Sequence, residues 1–423
     1  VPFNCNAKMS PMKKETMAVS ERELQRWQLI GLVDGGKITL KEASEKMGVS
    51  YRHAKRLRRR ARTDGLRGLV HAGRGRPATN MIITEVREKV VSLSAGVYGE
   101  FNDTHFTEML KEHEGIKLSR ETVRRLRRQA GMPAKRRRRP KKHRRRRERA
   151  AQEGLMMLWD GSPHRWFGEE NPPCSLMVSM DDSTGEILAA RFFPFEGSHG
   201  YLWLLNRVVK DYGIPLSVYQ DRHGSLKRND SNWSIEEELE GRQLPTQVGE
   251  ALEALGVRPI FALSPQAKGR VERLFGTLQD RLVAEMRFNG INNMDEGNGF
   301  LDKTFIKRFN RRFSVRRKGT EKAWRKPPEG IDMTRIISFR YEAIVSNDNT
   351  ASLGGIVLNI PPGPNERSYA KTRVEARQLL DGSWRVYYGD KLVARHRSTA
   401  PNEPIRTLNR RAKRIKSYSW IYL

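Results

Sequence analysis

The sequence predicts a multidomain chain: all-α helix-turn-helix units at the N-terminus, a central α/β core around a mixed five-stranded sheet, and a small β-barrel at the C-terminus. Three observations predict it. Capping boxes followed by apolar residues at helical spacing fill the N-terminal part. Short strands alternate with helices over residues 151–290. A period of two then sets in near residue 336. A chain of 423 residues suits three or four modules of about 100–150 residues each.

Composition narrows the partners. Hydrophobic residues make up 37 % of the chain, enough for real cores. The formal net charge of +31 repels itself unless an acidic polymer screens it, and nucleic acid does so with release of counterions. No apolar run approaches the roughly 20 residues of a membrane span, and no signal peptide is seen, so no membrane partner is expected. The two cysteines, Cys5 and Cys174, lie far apart without metal-ligand spacing. A reducing, cytoplasmic and nucleoid-associated setting is the expectation.

Residues 1–16 form a tail. The first DNA-binding module is expected over 17–70. Ser20-Glu21-Arg22-Glu23 is a capping box ahead of Leu24, Trp27, Ile30 and Val33. A Gly35-Gly36 stop and a second capping box at Thr39-Leu40-Lys41-Glu42 follow. Val49-Ser50 makes a tight turn, and a basic third helix starts at Tyr51. Three short helices with a glycine turn before the basic last one read as helix-turn-helix. Tyr51, Arg52, Lys55, Arg56 and Arg59 are its candidate DNA contacts; the plain alternative is a solvated basic helix. Linker 71–80 carries Gly73-Arg74-Gly75-Arg76-Pro77, an AT-hook-like run that could lay Arg74 and Arg76 in a narrow minor groove, or simply connect modules.

The pattern recurs over 81–133. An amphipathic stretch at 82–93 precedes a helix capped by Asp103, a turn at 114–118, and a helix started by Ser119 and stopped by Gly131 and Pro133. This helix offers Arg120, Arg124, Arg127 and Arg128. Within the linker 134–150, twelve of the fifteen residues from Lys135 to Arg149 are Lys or Arg, Arg136 and Arg137 among them. Such a block cannot form a core and is expected to follow phosphates.

From residue 151 the order is β-β-β-α-β-α-β-α. A short apolar strand ends in Asp160, another at 216–220 ends in Asp221, and the last helix starts near Gly269 and carries Glu272. The first and fourth strands are expected to be parallel neighbours joined by a crossover, so that their acids converge. On the last helix, Val271, Leu274, Phe275, Leu278 and Leu282 form the apolar stripe, and Glu272 falls about 100° from its centre. Converging carboxylates raise one another's pKa; two divalent cations about 4 Å apart relieve the repulsion and support phosphoryl transfer. Oxygen donors suit Mg2+ or Mn2+, two ions per site. Asp181 or Asp182 is the alternative first acid, although an aspartate in a hairpin turn is commonly structural.

The motifs then resemble a known family. Ser264-Pro265-Gln266-Ala267-Lys268-Gly269-Arg270-Val271-Glu272-Arg273 is similar to the "SPQ…G…ER" signature of DDE transposases with a retroviral-integrase-like core. Trp159-Asp160-Gly161-Ser162-Pro163-His164 and Tyr219-Gln220-Asp221-Arg222-His223-Gly224 resemble the first two acidic motifs of a bacterial insertion-sequence branch. The resemblance implies an RNase H-like core over 151–290 and Asp160, Asp221 and Glu272 as catalytic, metal-binding residues. The separation of Asp221 from Glu272, 272 − 221 = 51 positions, exceeds the usual integrase spacing. A polar insert at 225–244, expected to loop out, accounts for the excess. Lys268, Arg270 and Arg273 are candidate DNA contacts at the helix N-terminus. His164 and His223 are candidates to position phosphate or water, and equally to pack. Trp166-Phe167 is a candidate to stack a base or to fill the core.

A basic helical connector is expected over 291–331, the small β-barrel over 332–402 from strands at 336–341, 356–360, 372–379, 384–388 and 391–394, and a basic and aromatic tail over 403–423. The implied function is a transposase that binds the terminal inverted repeats of a mobile element, then cleaves and joins strands into target DNA, as a homodimer or homotetramer on double-stranded DNA. The alternatives are a sequence-specific DNA-binding regulator with an inactive RNase H-like core and a nuclease or resolvase without strand transfer.

Overall fold

The computed structural model describes residues 19–71, 73–74, 81–135, 147–228, 233–262, 269–315, 319, 321–399 and 404. The chain divides into two compact units, residues 1–85 and 86–423. The first is helical: α1 (Glu21–Asp34), α2 (Leu40–Lys46) and α3 (Tyr51–Asp64). Each begins where the sequence places a cap. Glu23 accepts from the Ser20 amide at 2.9 Å, Glu42 from the Thr39 amide at 2.8 Å, and Ser50 from the His53 amide at 3.3 Å. Ile30, Leu57, Ala61 and Leu69 close the small core. Asp34 ties α1 to α3 through Arg58 and Arg62 at 2.6 and 2.8 Å.

The second unit opens with α4 (Thr84–Ala95), α5 (Asp103–Glu112) and α6 (Arg120–Gln129). Here the expected cap is corrected by one residue. Asn102, not Asp103, caps α5 by accepting from the His105 amide at 2.9 Å. Asp103 is turned instead toward α6, where it holds Arg127 at 2.8 Å and Arg128 at 2.7 Å.

The α/β core contains β1 (Met157–His164), β2 (Cys174–Asp181), β3 (Ile187–Phe193), α7 (Ser198–Asp211), β4 (Ser217–Gln220), α8 (Ile235–Glu240), α9 (Gln247–Ala254), β5 (Arg258–Phe261) and α10 (Gly269–Phe288). The sheet runs β3-β2-β1-β4-β5. β1–β2 and β2–β3 are antiparallel, while β1–β4 and β4–β5 are parallel, so the expected mixed five-stranded sheet is present. Two features differ from expectation. β1 does not end at Asp160 but continues to His164, because β2 pairs with it along the whole length from Met157 to His164. The polar insert is not all loop: Ser234 and Glu237 form a capping box that starts α8.

The two faces of the sheet have separate cores. Trp159, Tyr201, Leu205, Val208 and Val218 pack on the α7 side, while Leu158, Tyr219, Val271, Phe275 and Leu278 pack on the α10 side. The far half of α10 also receives α4–α6. Arg281 donates to both Glu108 carboxylate oxygens at 2.7 and 2.9 Å, and Tyr98 stacks on Phe288 with centroids 5.3 Å apart. His105 lies buried 3.0 Å from Glu285. Burial, then Arg281 and Arg308, push its pKa down to about 3, and Arg308 pairs with Glu285 from the other side.

After the core, α11 (Met294–Phe300) and α12 (Ile306–Phe313) are joined through a π-helical turn at Leu301–Phe305. They cover β3, the edge strand: Asn298 accepts from the Phe192 amide at 2.7 Å, and Asn310 accepts from the Ile187 amide at 2.8 Å. An edge satisfied in this way is closed to foreign strands. The C-terminal part holds α13 (Met333–Ile336), β6 (Phe339–Ile344), β7 (Thr350–Leu353), β8 (Ile356–Asn359), β9 (Arg373–Gln378), β10 (Trp384–Tyr388) and β11 (Lys391–His396). The strand expected at 336–341 starts later because Asp332 caps a helical turn, accepting from the Thr334 amide at 3.0 Å. The expected barrel is also corrected. Among the described residues the strands form an open four-stranded sheet, β11-β10-β9-β6, and a separate β7-β8 hairpin. The hairpin buries Ala351, Leu353 and Leu358 in the same core as Val374, Trp384 and Val386, so side-chain packing stands where a closing ladder was expected.

Asp181, the last residue of β2, is fully buried. It accepts from the Gly154, Ser183 and Thr184 amides, each at 2.9 Å. Asp181→Ala leaves these buried donors without an acceptor and should lower stability by about 3 kcal/mol, read as a reduced urea midpoint. An unchanged midpoint would contradict this structural role.

Candidate active site

β4 stops at Gln220, one residue before Asp221. Its parallel ladder pairs Met157 with Val218 and Leu158 with Tyr219. The ladder ends there, two positions before Asp160 on one strand and two before Asp221 on the other. A buried hydrogen bond from Trp159 Nε1 to Gln220 Oε1, 2.9 Å, fixes the intervening pair. Asp160 accepts from the Gly161 amide at 3.1 Å, and Asp221 accepts from the His223 amide at 2.9 Å. Both side chains are half-buried, dry enough to feel each other and wet enough to meet a ligand. The buried Tyr201 hydroxyl registers them: its pKa is pushed well above the ordinary tyrosine value by burial first, then by Glu196, Asp160 and Asp221. Glu196, which accepts from Tyr201 Oη at 2.5 Å, was not legible in the sequence. It belongs to no recognisable motif, and only the fold carries it there.

Glu272 stands on the first turn of α10 with its side chain exposed, while Val271, Leu274, Phe275, Leu278 and Leu282 form the buried stripe beside it. α10 runs along β1, and Gln279 Nε2 donates to Ser162 Oγ at 3.3 Å. Among the described residues, no three His, Cys, Asp or Glu side chains meet closely enough to hold a metal ion. Among the described residues, then, Glu272 does not complete such a group with Asp160 and Asp221, which share the neighbourhood of the Tyr201 hydroxyl. The alternative first acids are occupied elsewhere. Asp181 serves the turn described above, and Asp182, fully buried, pairs with Arg147 at 2.7 Å and with Arg270, and accepts from the Ala150 amide at 2.7 Å.

The donor chemistry at the aspartate pair fits a hard divalent cation. Its ligand atoms are carboxylate oxygens, which suit Mg2+ or Mn2+. No soft ligand competes: burial pushes the Cys174 thiol up to about 11, and His223 Nδ1 accepts from the Ser225 amide at 3.3 Å. His164 is exposed and meets Trp166 edge-on at 5.3 Å. Trp166 is buried, donates to the Ser162 carbonyl at 3.0 Å and packs on Phe192; it belongs to the core.

The basic candidates separate into two groups. Tyr51, Arg52, Lys55, Arg56 and Arg59 all lie exposed on α3, with the Lys55 ammonium 4.8 Å from the Tyr51 ring centre. Arg120 and Arg124 are exposed on α6, as is Arg273, which donates to the Gly269 carbonyl at 2.7 Å. Others are engaged within the fold. Arg127 is buried and donates to the Phe101 carbonyl at 3.0 Å as well as to Asp103. This corrects its expected place on the open face of α6: the helix must bury one side, and Arg127 falls on it. Arg128 is half-buried on Asp103. Arg270 binds Asp182 and the Arg147 carbonyl, anchoring the start of α10. Arg74 pairs with Glu23 at 2.9 Å. Arg76, Arg136, Arg137 and Lys268 lie outside the described residues, as does most of the Ser264–Arg273 motif up to Lys268.

Comparison with known proteins bears on both ends of the chain. A helix-turn-helix domain model matches residues 25–78. A putative transposase, y4bF, of Sinorhizobium fredii is 38 % identical over 299 residues, covering 71 % of this chain and 64 % of its own length. The chain thus spans less than two thirds of that relative. The transposase for insertion sequence IS1202 of Streptococcus pneumoniae is 32 % identical over 406 residues, 88 % of this chain and 85 % of the relative. Among solved structures, the HTLV-2 integrase catalytic core domain in complex with magnesium aligns over 36 % of this chain and 90 % of its own, at 14 % identity and a TM-score of 0.25, a likeness too slight to bear on function. On the extent of the match to the pneumococcal protein, the chain belongs to the insertion-sequence transposases.

Proposed function

We propose that this chain binds the terminal inverted repeats of a mobile element and cleaves and joins DNA strands there, with Asp160 and Asp221 as the centre of its phosphoryl-transfer site. The observation that supports the proposal is the parallel pairing of β1 and β4, whose ladder leads from Leu158 and Tyr219 toward Asp160 and Asp221, together with the influence of both acids on the buried Tyr201 hydroxyl. In this reading Glu272 is the third acid, on the strength of its motif. Its place on the first turn of α10, exposed and beside the sheet, leaves it available to bound DNA.

Mg2+ or Mn2+, held as one or a pair of ions by these acids, would neutralise the scissile phosphate and favour in-line attack by water or a 3′-hydroxyl. The chain's own residues do the rest. Asp160 and Asp221 are acceptors held by the Gly161 and His223 amides. Arg273 and the free amides at the start of α10 favour a phosphate close to Glu272. The exposed basic face of α3 suits the major groove, as the recognition helix of a helix-turn-helix does. Pairing two element ends needs at least two subunits, so a dimer or tetramer on double-stranded DNA is part of the proposal. No helix among the described residues is long and apolar enough to cross a membrane.

Asp221→Asn removes one negative charge without changing size. The variant should lose joining of element ends in Mg2+ by at least about a thousandfold, or about 4 kcal/mol of transition-state stabilisation, and still shift end DNA in a gel. Joining at the wild-type rate would refute the assignment. Replacing the Lys and Arg residues between positions 136 and 146 with Gln should weaken binding to all DNA sequences alike and flatten the dependence of affinity on salt. A loss confined to element ends would contradict a phosphate-following role.

A further inference from the structure

Gly161 follows Asp160 on β1, and its amide donates to the Asp160 carboxylate at 3.1 Å. A side-chain carbon on Gly161 would collide with the carboxylate of Glu196. Glu196 therefore lies directly against the backbone that carries Asp160, at a spot where a side chain at position 161 would push its carboxylate aside. Its orientation is fixed from the other side by the hydroxyl of Tyr201, which donates at 2.5 Å. Tyr201 is fully buried and packs on Trp159 with ring centres 5.2 Å apart. Trp159 in turn bonds Gln220, the residue before Asp221. One run of contacts thus connects Glu196 to the strands bearing both aspartates.

A carboxylate close to a cation adds to its attraction without touching the ion. A buried tyrosine that donates to Glu196 holds its carboxylate in place rather than letting it swing into solvent. We propose that Glu196 is a further acid of this same active site, a positioning carboxylate whose charge, held beside Gly161 by Tyr201, strengthens the grip of Asp160 and Asp221 on a divalent cation. The proposal rests on the cation-binding reading above and adds a residue that the family's three-acid motif does not contain.

The test is Mn2+ binding to the full chain without DNA, measured by electron paramagnetic resonance of the free ion, with urea unfolding of each metal-free variant alongside. Glu196→Gln should weaken Mn2+ binding about tenfold, the usual effect of removing an outer carboxylate, without lowering the metal-free midpoint, since repulsion is relieved. Tyr201→Phe should weaken binding in the same direction. Gly161→Ala, which displaces the Glu196 side chain without removing its charge, should do so as well. Glu196→Asp should recover part of the loss. If Asp221→Asn loses Mn2+ while Glu196→Gln binds within about twofold of wild type, Glu196 has no such role and the site stands without it. A Glu196→Gln loss of affinity matched by an equal loss of metal-free stability would also overturn the inference, as a purely structural effect. If neither Asp221→Asn nor Glu196→Gln alters binding, the cation site itself is misassigned.

Discussion

The parallel pairing of β1 with β4 is the constraint on which the rest depends. It is short, two residue pairs, Met157 with Val218 and Leu158 with Tyr219, and it lies at the centre of the sheet. Parallel strands cannot be joined by a tight turn, so a crossover must intervene. Here β2, β3 and α7 lie between them in sequence, and α7 buries Tyr201, Leu202, Leu204, Leu205, Val208 and Val209. That apolar face shares one core with Met157 and Val218, the first pair of the ladder. Residues about sixty positions apart in sequence, Leu158 and Tyr219, are thereby made neighbours in space.

Ion pairing then sets where the other charged elements stand. Asp182 is a buried charge, and such a group persists only when well compensated. Its partners are Arg147, at the end of the basic linker, and Arg270, two residues before Glu272. A single turn between β2 and β3 therefore anchors both the end of the basic linker and the start of the helix that carries the third proposed acid. Asp103 plays the same part within the helical region, where Arg127 and Arg128 converge on it. The large positive charge of this chain is consequently of two kinds. Part of it is used in holding helices together, and the exposed remainder on α3, α6 and the first turn of α10 is available to phosphates.

Much of this was legible in the sequence because local rules and the fold agree. The capping boxes at Ser20 and Thr39 mark α1 and α2, and the apolar stripe of α10 leaves Glu272 at its border as expected. The order of strands and helices correctly implied that β1 and β4 are parallel neighbours. The failures have physical causes. Asn102 and Asp103 are equally good caps, and nothing local says which will turn toward Arg127. Arg127 looks exposed by composition, yet the tertiary contact with Asp103 and the Phe101 carbonyl buries it. The Ser234–Glu237 capping box that starts α8 was present but hidden in a strongly polar stretch. Alternating patterns after residue 336 identified strands but could not decide between a closed barrel and an open sheet packed on a hairpin, since both bury one face. Glu196 reaches the site only through Tyr201 and the bare backbone of Gly161, contacts that no linear motif encodes.

The most direct measurement is anomalous X-ray scattering from crystals of the full chain bound to element-end DNA and Mn2+. The account predicts a manganese peak shared by the carboxylates of Asp160 and Asp221, with Glu272 drawn to it. A structure with DNA bound and manganese located away from both aspartates, or with the aspartates parted, would contradict it.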